Sequence, residues 1–348
     1  MNKIILSVVT AIIVTCLLSL FPVTLTKATE DSWTIMEPMP TARAWLGVAV
    51  VDGKIYAIVS EINYEYDPST NSWTTKTPMP NPKSSFGIAV VDNKIYCIGG
   101  TTDDYTYTNL NQVYDPLTDT WETKKSMPTS RYALDANVVN GKIYMIGGSQ
   151  RTPNDNFDIN EVYDPVTDTW TTKTSIPTGV DYYASAVVNN KIYIMGGAVS
   201  PTNLNQIYDP STDMWSFGAS LPTGVDSAAA GVSAGDTVTE RIFVLGGKQG
   251  LDAVNLNQVY DPETDTWVAG PSMPTARYGL DVAVVDDMLY VIGGREGWVG
   301  YPVSAANEQY TPADFVPEFP SWTPLLIMLV AVTVLAVIYK RKLHNTLP

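Results

Sequence analysis

Six positions, each three residues beyond the proline of a Met-Pro, Ile-Pro or Leu-Pro pair, bear most directly on what chemistry the chain can do: Arg43, Lys83, Arg131, Val180, Val225 and Arg277. Four of the six are basic, in a chain that is acidic elsewhere. Two of them open an R-Y-x-L-D run, Arg131-Tyr132-Asp135 and Arg277-Tyr278-Asp281, and the two valines open G-V-D, with Asp181 and Asp226. Guanidinium forks, aromatic faces and carboxylates, wherever a fold brings them together, are suited to a carboxylate or polyhydroxylated ligand. A plainer account uses the same residues: the arginines pair with Asp135, Asp181, Asp226 and Asp281 and simply tie the ends of structural elements together.

Other chemistry is excluded by what the sequence lacks. Its one histidine, His344, lies in a basic tail beyond an apolar segment, so no Ser-His-Asp triad, Cys-His pair or His-ligated metal can be assembled in the body of the chain. There is no Walker loop, no G-x-G-x-x-G and no calcium-loop spacing. Cys16 falls in an N-terminal apolar run and Cys97 inside a strand, which leaves no pair for an intrachain disulfide. No catalytic residue, metal ligand or cofactor is assigned.

The elements that carry the six positions are repeats. From Arg131 to Trp170 the chain reads as an apolar strand, an Asn-Gly turn, a β-branched and aromatic strand (KIYMI) ended by Gly147-Gly148, and a third strand stopped at Asp164-Pro165. A turn then leads into a fourth strand at Trp170. The second strand recurs as KIYAIVS, KIYCIGG, KIYMIGG, KIYIMGG, RIFVLGG and MLYVIGG. Asp-Pro recurs at Asp67, Asp115, Asp164, Asp209 and Asp261, and tryptophans from Trp33 to Trp267 are spaced by 40, 48, 49, 45 and 52 residues. A period this long, with four strands in each unit, calls for a radial or stacked array.

Gly-Gly after the second strand, Tyr-Asp-Pro after the third, Trp opening the fourth and Met-Pro beyond it together resemble the Kelch repeat of β-propellers, over roughly Asp31 to Pro312. The resemblance implies an all-β, six-bladed propeller of four-stranded antiparallel blades. It also implies that the innermost strands begin near a central opening, at the six positions named above. Galactose oxidase carries a Kelch propeller too, but its copper site needs histidines that are missing here. Tyr96, Tyr144, Tyr193, Tyr290 and the tryptophans from Trp73 to Trp267 are expected in the packing between blades, because a blade cannot bury both sheet faces alone.

Blade closure follows from the ends of the repeat region. Asp31 to Thr34 is a lone fourth strand with no strands one to three before it, while Asp281 to Gly294 and Ala306 to Tyr310 lack a Trp-bearing fourth strand. The N-terminal strand should therefore complete the last sheet and remove two exposed edges. The first blade is expected to depart from the rest: Val59-Ser60 replaces Gly-Gly, and its second and third strands meet in a tight hairpin. The longer Asp/Asn/Thr-rich connections of other blades should gather on one side of the ring, in reach of a partner. The domain is long enough for one large core.

Residues 1–28 resemble a secretory signal peptide and 29–312 form the propeller. A proline-broken linker, 313–321, precedes the uncharged segment 322–339, which as a helix would rise about 27 Å, enough to span a bilayer core. Basic residues in the tail 340–348 should stay in the cytoplasm, giving a single-pass cell-membrane protein with its propeller outside. Pro317-Glu318-Phe319 before that segment also resembles an archaeal sorting signal, which implies an archaeosortase-type processing enzyme as a partner. Residues 29–322 hold 16 basic against 36 acidic side chains, a net −20, and this repels nucleic acid. The function expected is a non-catalytic module that binds an extracellular protein, glycan or envelope polymer. The alternative is a carbohydrate-active enzyme, since sialic acid mutarotases are Kelch propellers and Asp with Arg can do acid-base work on a sugar.

Overall fold

The computed structural model describes residues 31–150, 157–197, 203–233, 240–297 and 302–312. The leader, the linker, the 322–339 segment and the basic tail lie outside these residues, and among the described ones no helix is long and apolar enough to cross a membrane.

Six four-stranded antiparallel sheets form the blades. Blade one is Gly47–Val51, Lys54–Val59, Ile62–Asp67 and Ser72–Thr75, in that order from the inside outward. Blades two to five begin with Gly87–Val91, Ala136–Val139, Ala184–Val188 and Ala229–Ser233. Blade five also carries a short extra hairpin, Lys248–Gln249 with Asp252–Ala253. Blade six consists of Asp281–Val285, Met288–Ile292 and Asn307–Thr311, and Ser32–Ile35 is its outer strand, with Trp33 in register with Tyr310. The ring is closed as expected, by a strand from the opposite end of the domain.

The expected single core is instead six. Each apolar cluster lies between consecutive blades, such as Tyr56 and Ile58 of blade one with Phe86, Ile95 and Tyr114 of blade two, and the last joins blade six to blade one. The cause is radial geometry: sheets packed face to face around an axis bury their surfaces pairwise, and the axis itself stays hollow. The second- and third-strand tyrosines are buried in these seams, while the tryptophans are half-buried at the rim.

A repeated clasp joins the blades at their outer edge. Tyr163 Oη donates to Asp168 Oδ1 (2.7 Å), which also accepts the Lys125 amide of the preceding blade (2.9 Å), and Trp170 Nε1 returns a bond to the Lys125 carbonyl (2.9 Å). The same trio recurs with Asp119, Asp213 and Asp265, and with Asn71 in blade one. These Asx residues have φ between 51° and 56°, a left-handed conformation that short Asx side chains tolerate.

Candidate functional site

At the inner end of each blade the second Gly of Gly-Gly, or Ser60 in blade one, donates its amide to the carbonyl of the next blade's entry residue; Gly100 to Arg131 is 2.9 Å and Ser60 to Lys83 is 2.8 Å. A Cβ at Gly99 would sit 2.7 Å from the Arg131 carbonyl oxygen, so this close approach requires glycine. The backbone of the six predicted positions therefore does lie at the inner end of the blades.

Their side chains do not line the opening. Lys83, Arg131 and Arg277 are fully buried inside their own blades, which corrects the expectation of a basic ring open to a ligand. Arg131 pairs with Glu161 and donates to the Met145 carbonyl (2.8 Å); Arg277 pairs with Glu308 at 2.6 Å. The partners are third-strand glutamates, not the neighbouring aspartates. Lys83 Nζ donates to the Cys97 (2.8 Å) and Leu110 (2.9 Å) carbonyls, and burial pushes its pKa down to about 7. Arg43 alone of the four reaches the surface, where it pairs with Glu61 at 2.8 Å.

The pairing has a signal in the repeat that the sequence reading overlooked. Blades three and six have Asn-Glu at the start of the third strand, where the entry residue is Arg; blades two, four and five have Asn-Gln, where it is Lys or Val. Gln206 and Gln258 make neutral two-way clamps to the Thr178 and Thr223 backbones instead. In blades three and six charge is matched with charge and in blades four and five neutral with neutral, as burial demands, whereas in blade two the buried Lys83 relies on two backbone carbonyls.

Two residues beyond the entry position stand Trp45, Ser85, Ala133, Tyr182, Ser227 and Gly279, all with φ between 50° and 61°. Each donates its amide to the carbonyl of the preceding member at 2.6–2.9 Å, closing a ring of six hydrogen bonds around the axis. Trp45 and Tyr182 come from blades on opposite sides, and their rings meet across this mouth with centroids 5.0 Å apart. Gly279 makes room, because a Cβ there would lie 2.9 Å from the Trp45 indole. Tyr278 stands 5.7 Å from Trp45, Tyr132 5.8 Å from Tyr182, and Tyr107 stacks on Tyr132 at 5.2 Å. The result is a continuous strip of five aromatic rings from a blade-two connection across the mouth.

Carboxylates flank the strip. Asp226 pairs with Lys248 at 3.4 Å, and the Lys248 ammonium lies 5.9 Å from the Tyr278 ring centroid. Asp181 is buried with Oδ1 lacking any partner; burial and the nearby Asp226 charge raise it to about 6, and burial raises Asp226 as well. Tyr132, Tyr278, Asp181 and Asp226 of the predicted set thus gather at the loop side of the mouth. Asp135 and Asp281 lie below it, facing the axial channel. Trp45, Tyr182 and Lys248 were missed, although aligning the repeats two residues past each entry position shows Trp and Tyr where other blades have Ser, Ala or Gly.

The sequence matches the KLHDC2/KLHL20/DRC7 Kelch-repeats domain over residues 49–217 and, in a second register, 88–294. The chain belongs to the Kelch-repeat family. Similar proteins include human Kelch repeat and BTB domain-containing protein 13, 34% identical over 90 residues, which are 24% of this chain and 19% of that protein. Mouse Kelch-like protein 28 is 30% identical over 82 residues, 23% of this chain and 14% of that protein. The matches thus span about a fifth or less of these relatives. Among solved structures, that of YjhT superposes with a TM-score of 0.69 at 16% identity, covering 81% of this chain and 98% of YjhT, which is a likeness of fold.

Proposed function

We propose that this Kelch propeller is a binding module whose ligand docks on the loop side of the mouth, and that it is held at the cell surface. The five-ring strip carries the reading. Half-buried Trp45, Tyr132 and Tyr182 offer a rigid, amphipathic contact surface of low conformational entropy, and Asp181 offers a buried oxygen still lacking a hydrogen-bond donor. A protein loop or a glycan brings both an apolar face and donors to such a surface. Tethering rests on the sequence: the leader 1–28, the apolar 322–339 segment and the basic tail favour a propeller outside the membrane, with Pro317-Glu318-Phe319 as a processing signal. Glycan-array and peptide-array screening tests the reading. Ligands bound by the native chain should be lost by Trp45→Ala/Tyr182→Ala, whereas binding that survives this change would place the docking surface elsewhere.

A sugar-converting activity at the same mouth is the second reading, favoured by two adjacent carboxylates, Asp181 and Asp226, both shifted upward as acid-base work requires. An anomerisation assay on any bound sugar separates the two: turnover lost in Asp181→Asn supports the enzyme, and binding without turnover supports the module.

A further inference from the structure

The outer strands repeat the clasp but not the residues that follow its tryptophan. In blades one, two and three these are Thr-Thr-Lys, Glu-Thr-Lys and Thr-Thr-Lys, ending at Lys76, Lys124 and Lys173. In blades four, five and six they are Ser-Phe-Gly, Val-Ala-Gly and Thr-Ile-Met, ending at Gly218, Gly270 and Met36. An edge strand exposes unpaired backbone, and a lysine on it discourages another chain from pairing there. Half of the ring lacks this protection. Trp215 to Pro222 in blade four and Trp267 to Pro274 in blade five hold no charged residue at all, in a chain whose residues 29–322 carry a net −20. Of these two, blade four alone adds an exposed aromatic: Phe217 is 59% exposed, and Met214 on the same strand 64%.

The backbone of that strand is set for a partner. Gly218 donates its amide to the Asn205 carbonyl (3.0 Å), and the same register pairs Ser216 with Ile207 and Met214 with Asp209. Hydrogen-bonded pairs alternate along an antiparallel ladder, so residues 214, 216 and 218 bond inward, and Trp215 and Phe217 turn their N–H and C=O groups to the open edge. The strand is the last of its sheet. Two copies of Met214–Phe217 laid antiparallel about a two-fold axis at Ser216 set Trp215 of each opposite Phe217 of the other. Each such pair exchanges two backbone hydrogen bonds and brings ring beside ring on one face of the sheet. Every other outer strand lacks this aromatic pair, because the residue two beyond the Trp is Thr75, Thr123, Thr172, Ala269 or Ile35.

We propose that the outer strand of blade four, Met214–Phe217, is a self-association edge that pairs antiparallel with the same strand of a second copy, joining two four-stranded sheets into one. Charge selects a second copy as the occupant. A basic partner would be drawn to the carboxylates elsewhere on this surface, whereas a two-fold contact centred on Ser216 sets an uncharged segment against its own like. The antiparallel pairing also reverses the second propeller. The exposed Asp52, Asp92, Asp286 and Asp287 of the first-hairpin turns are thereby sent to opposite ends of the pair, where salt screens their repulsion. The two mouths then face opposite ways, so the pair presents two binding surfaces. A contact one strand wide is small, and the association is weak and reversible. This edge is separate from the loop-side mouth and does not rest on the function proposed there.

Cysteine trapping on the purified full chain tests this. In a non-hydrogen-bonded antiparallel pair the Cα atoms lie about 4.5 Å apart, within reach of a disulfide, and here that pair is Ser216 with its own copy. The background is Cys16→Ser, and the remaining Cys97 is buried. Under mild oxidation Ser216→Cys should give a covalent dimer, at least tenfold more than Thr74→Cys, which stands at the same position in blade one. Adding Phe217→Thr, the residue that blades one, two and three carry there, should cut the Ser216→Cys dimer at least threefold. Three blades already fold with that threonine, and a melting curve verifies that the variant does. Trapping of Ser216→Cys no greater than that of Thr74→Cys overturns the proposal, as it leaves this edge to some other chain or to none. Undiminished trapping in the presence of Phe217→Thr overturns it as well, by showing collision without the aromatic pairing.

Discussion

The rim and the mouth of this propeller are built from the same repeat, yet they obey different rules. At the rim one Tyr-Asx-Trp clasp is copied from blade to blade, with hydrogen bonds of 2.5–3.0 Å in near-identical roles. At the mouth the backbone is equally regular, a closed ring of six bonds, but the six side chains on it are Trp, Ser, Ala, Tyr, Ser and Gly. Uniform backbone with varied side chains is what a scaffold presenting a surface looks like. Uniform side chains at the rim serve to hold blades at a fixed pitch.

The largest test of this contrast removes a whole rim element. Deleting residues 31–40 takes away the outer strand of blade six, with the Trp33 bond to the Pro271 carbonyl (2.9 Å), and leaves Asn307–Thr311 as an open edge. Aggregation, or a melting temperature lower by more than roughly 10 °C, is expected. A monomeric variant with unchanged melting would mean that the ring closes some other way.

Next in size is the buried ion pair between rim and mouth. Glu308→Ala strands the Arg277 guanidinium, fully enclosed in blade six, and should cost about 3–5 kcal/mol in denaturant unfolding. Glu308→Ala with Arg277→Met, which removes both charges, should recover most of that loss; no recovery would show that the glutamate acts by another route.

A smaller effect reads the channel. Burial, with the Asp135 carboxylate opposite, raises Asp281 from an ordinary 3.8 to about 8. A carboxyl with a higher pKa folded than unfolded holds its proton more tightly in the folded chain, so its contribution is full below about pH 4 and is lost as pH rises toward 8. Melting temperature of the native chain minus that of Asp281→Asn should therefore fall between pH 4 and 8 and level off above. The difference isolates Asp281 from Lys83, whose depressed pKa acts in the opposite sense above pH 7. A flat difference would remove the buried-charge account of the channel.

How much of this was legible in the sequence follows the same division. The clasp's three side chains come from one repeat, Tyr-Asp-Pro through Thr-Asp-x-Trp, so their spacing is visible in the sequence, as is the borrowed outer strand at Trp33, but their backbone partner belongs to the preceding blade. Arg131 and Arg277 were assigned to the opening because their backbone is there. Their long side chains instead turn back into their own blades to reach the third-strand glutamates, Glu161 and Glu308. The meeting of Trp45 with Tyr182 depends on contact across the axis and on left-handed backbone at non-glycine residues, neither of which repeat spacing encodes.

The most direct test of the division between rim and mouth compares two double variants by melting temperature and array binding on the same samples. Asp168→Ala/Asp213→Ala cuts two rim clasps; Trp45→Ala/Tyr182→Ala removes far more side-chain mass from the mouth. The rim variant should melt several degrees lower, at about 1–3 kcal/mol for each clasp, and keep its ligands. The mouth variant should melt close to the native chain and lose them. A mouth variant that is the less stable of the two, or a rim variant that loses ligand while still folded, would contradict the assignment of stability to the rim and recognition to the mouth.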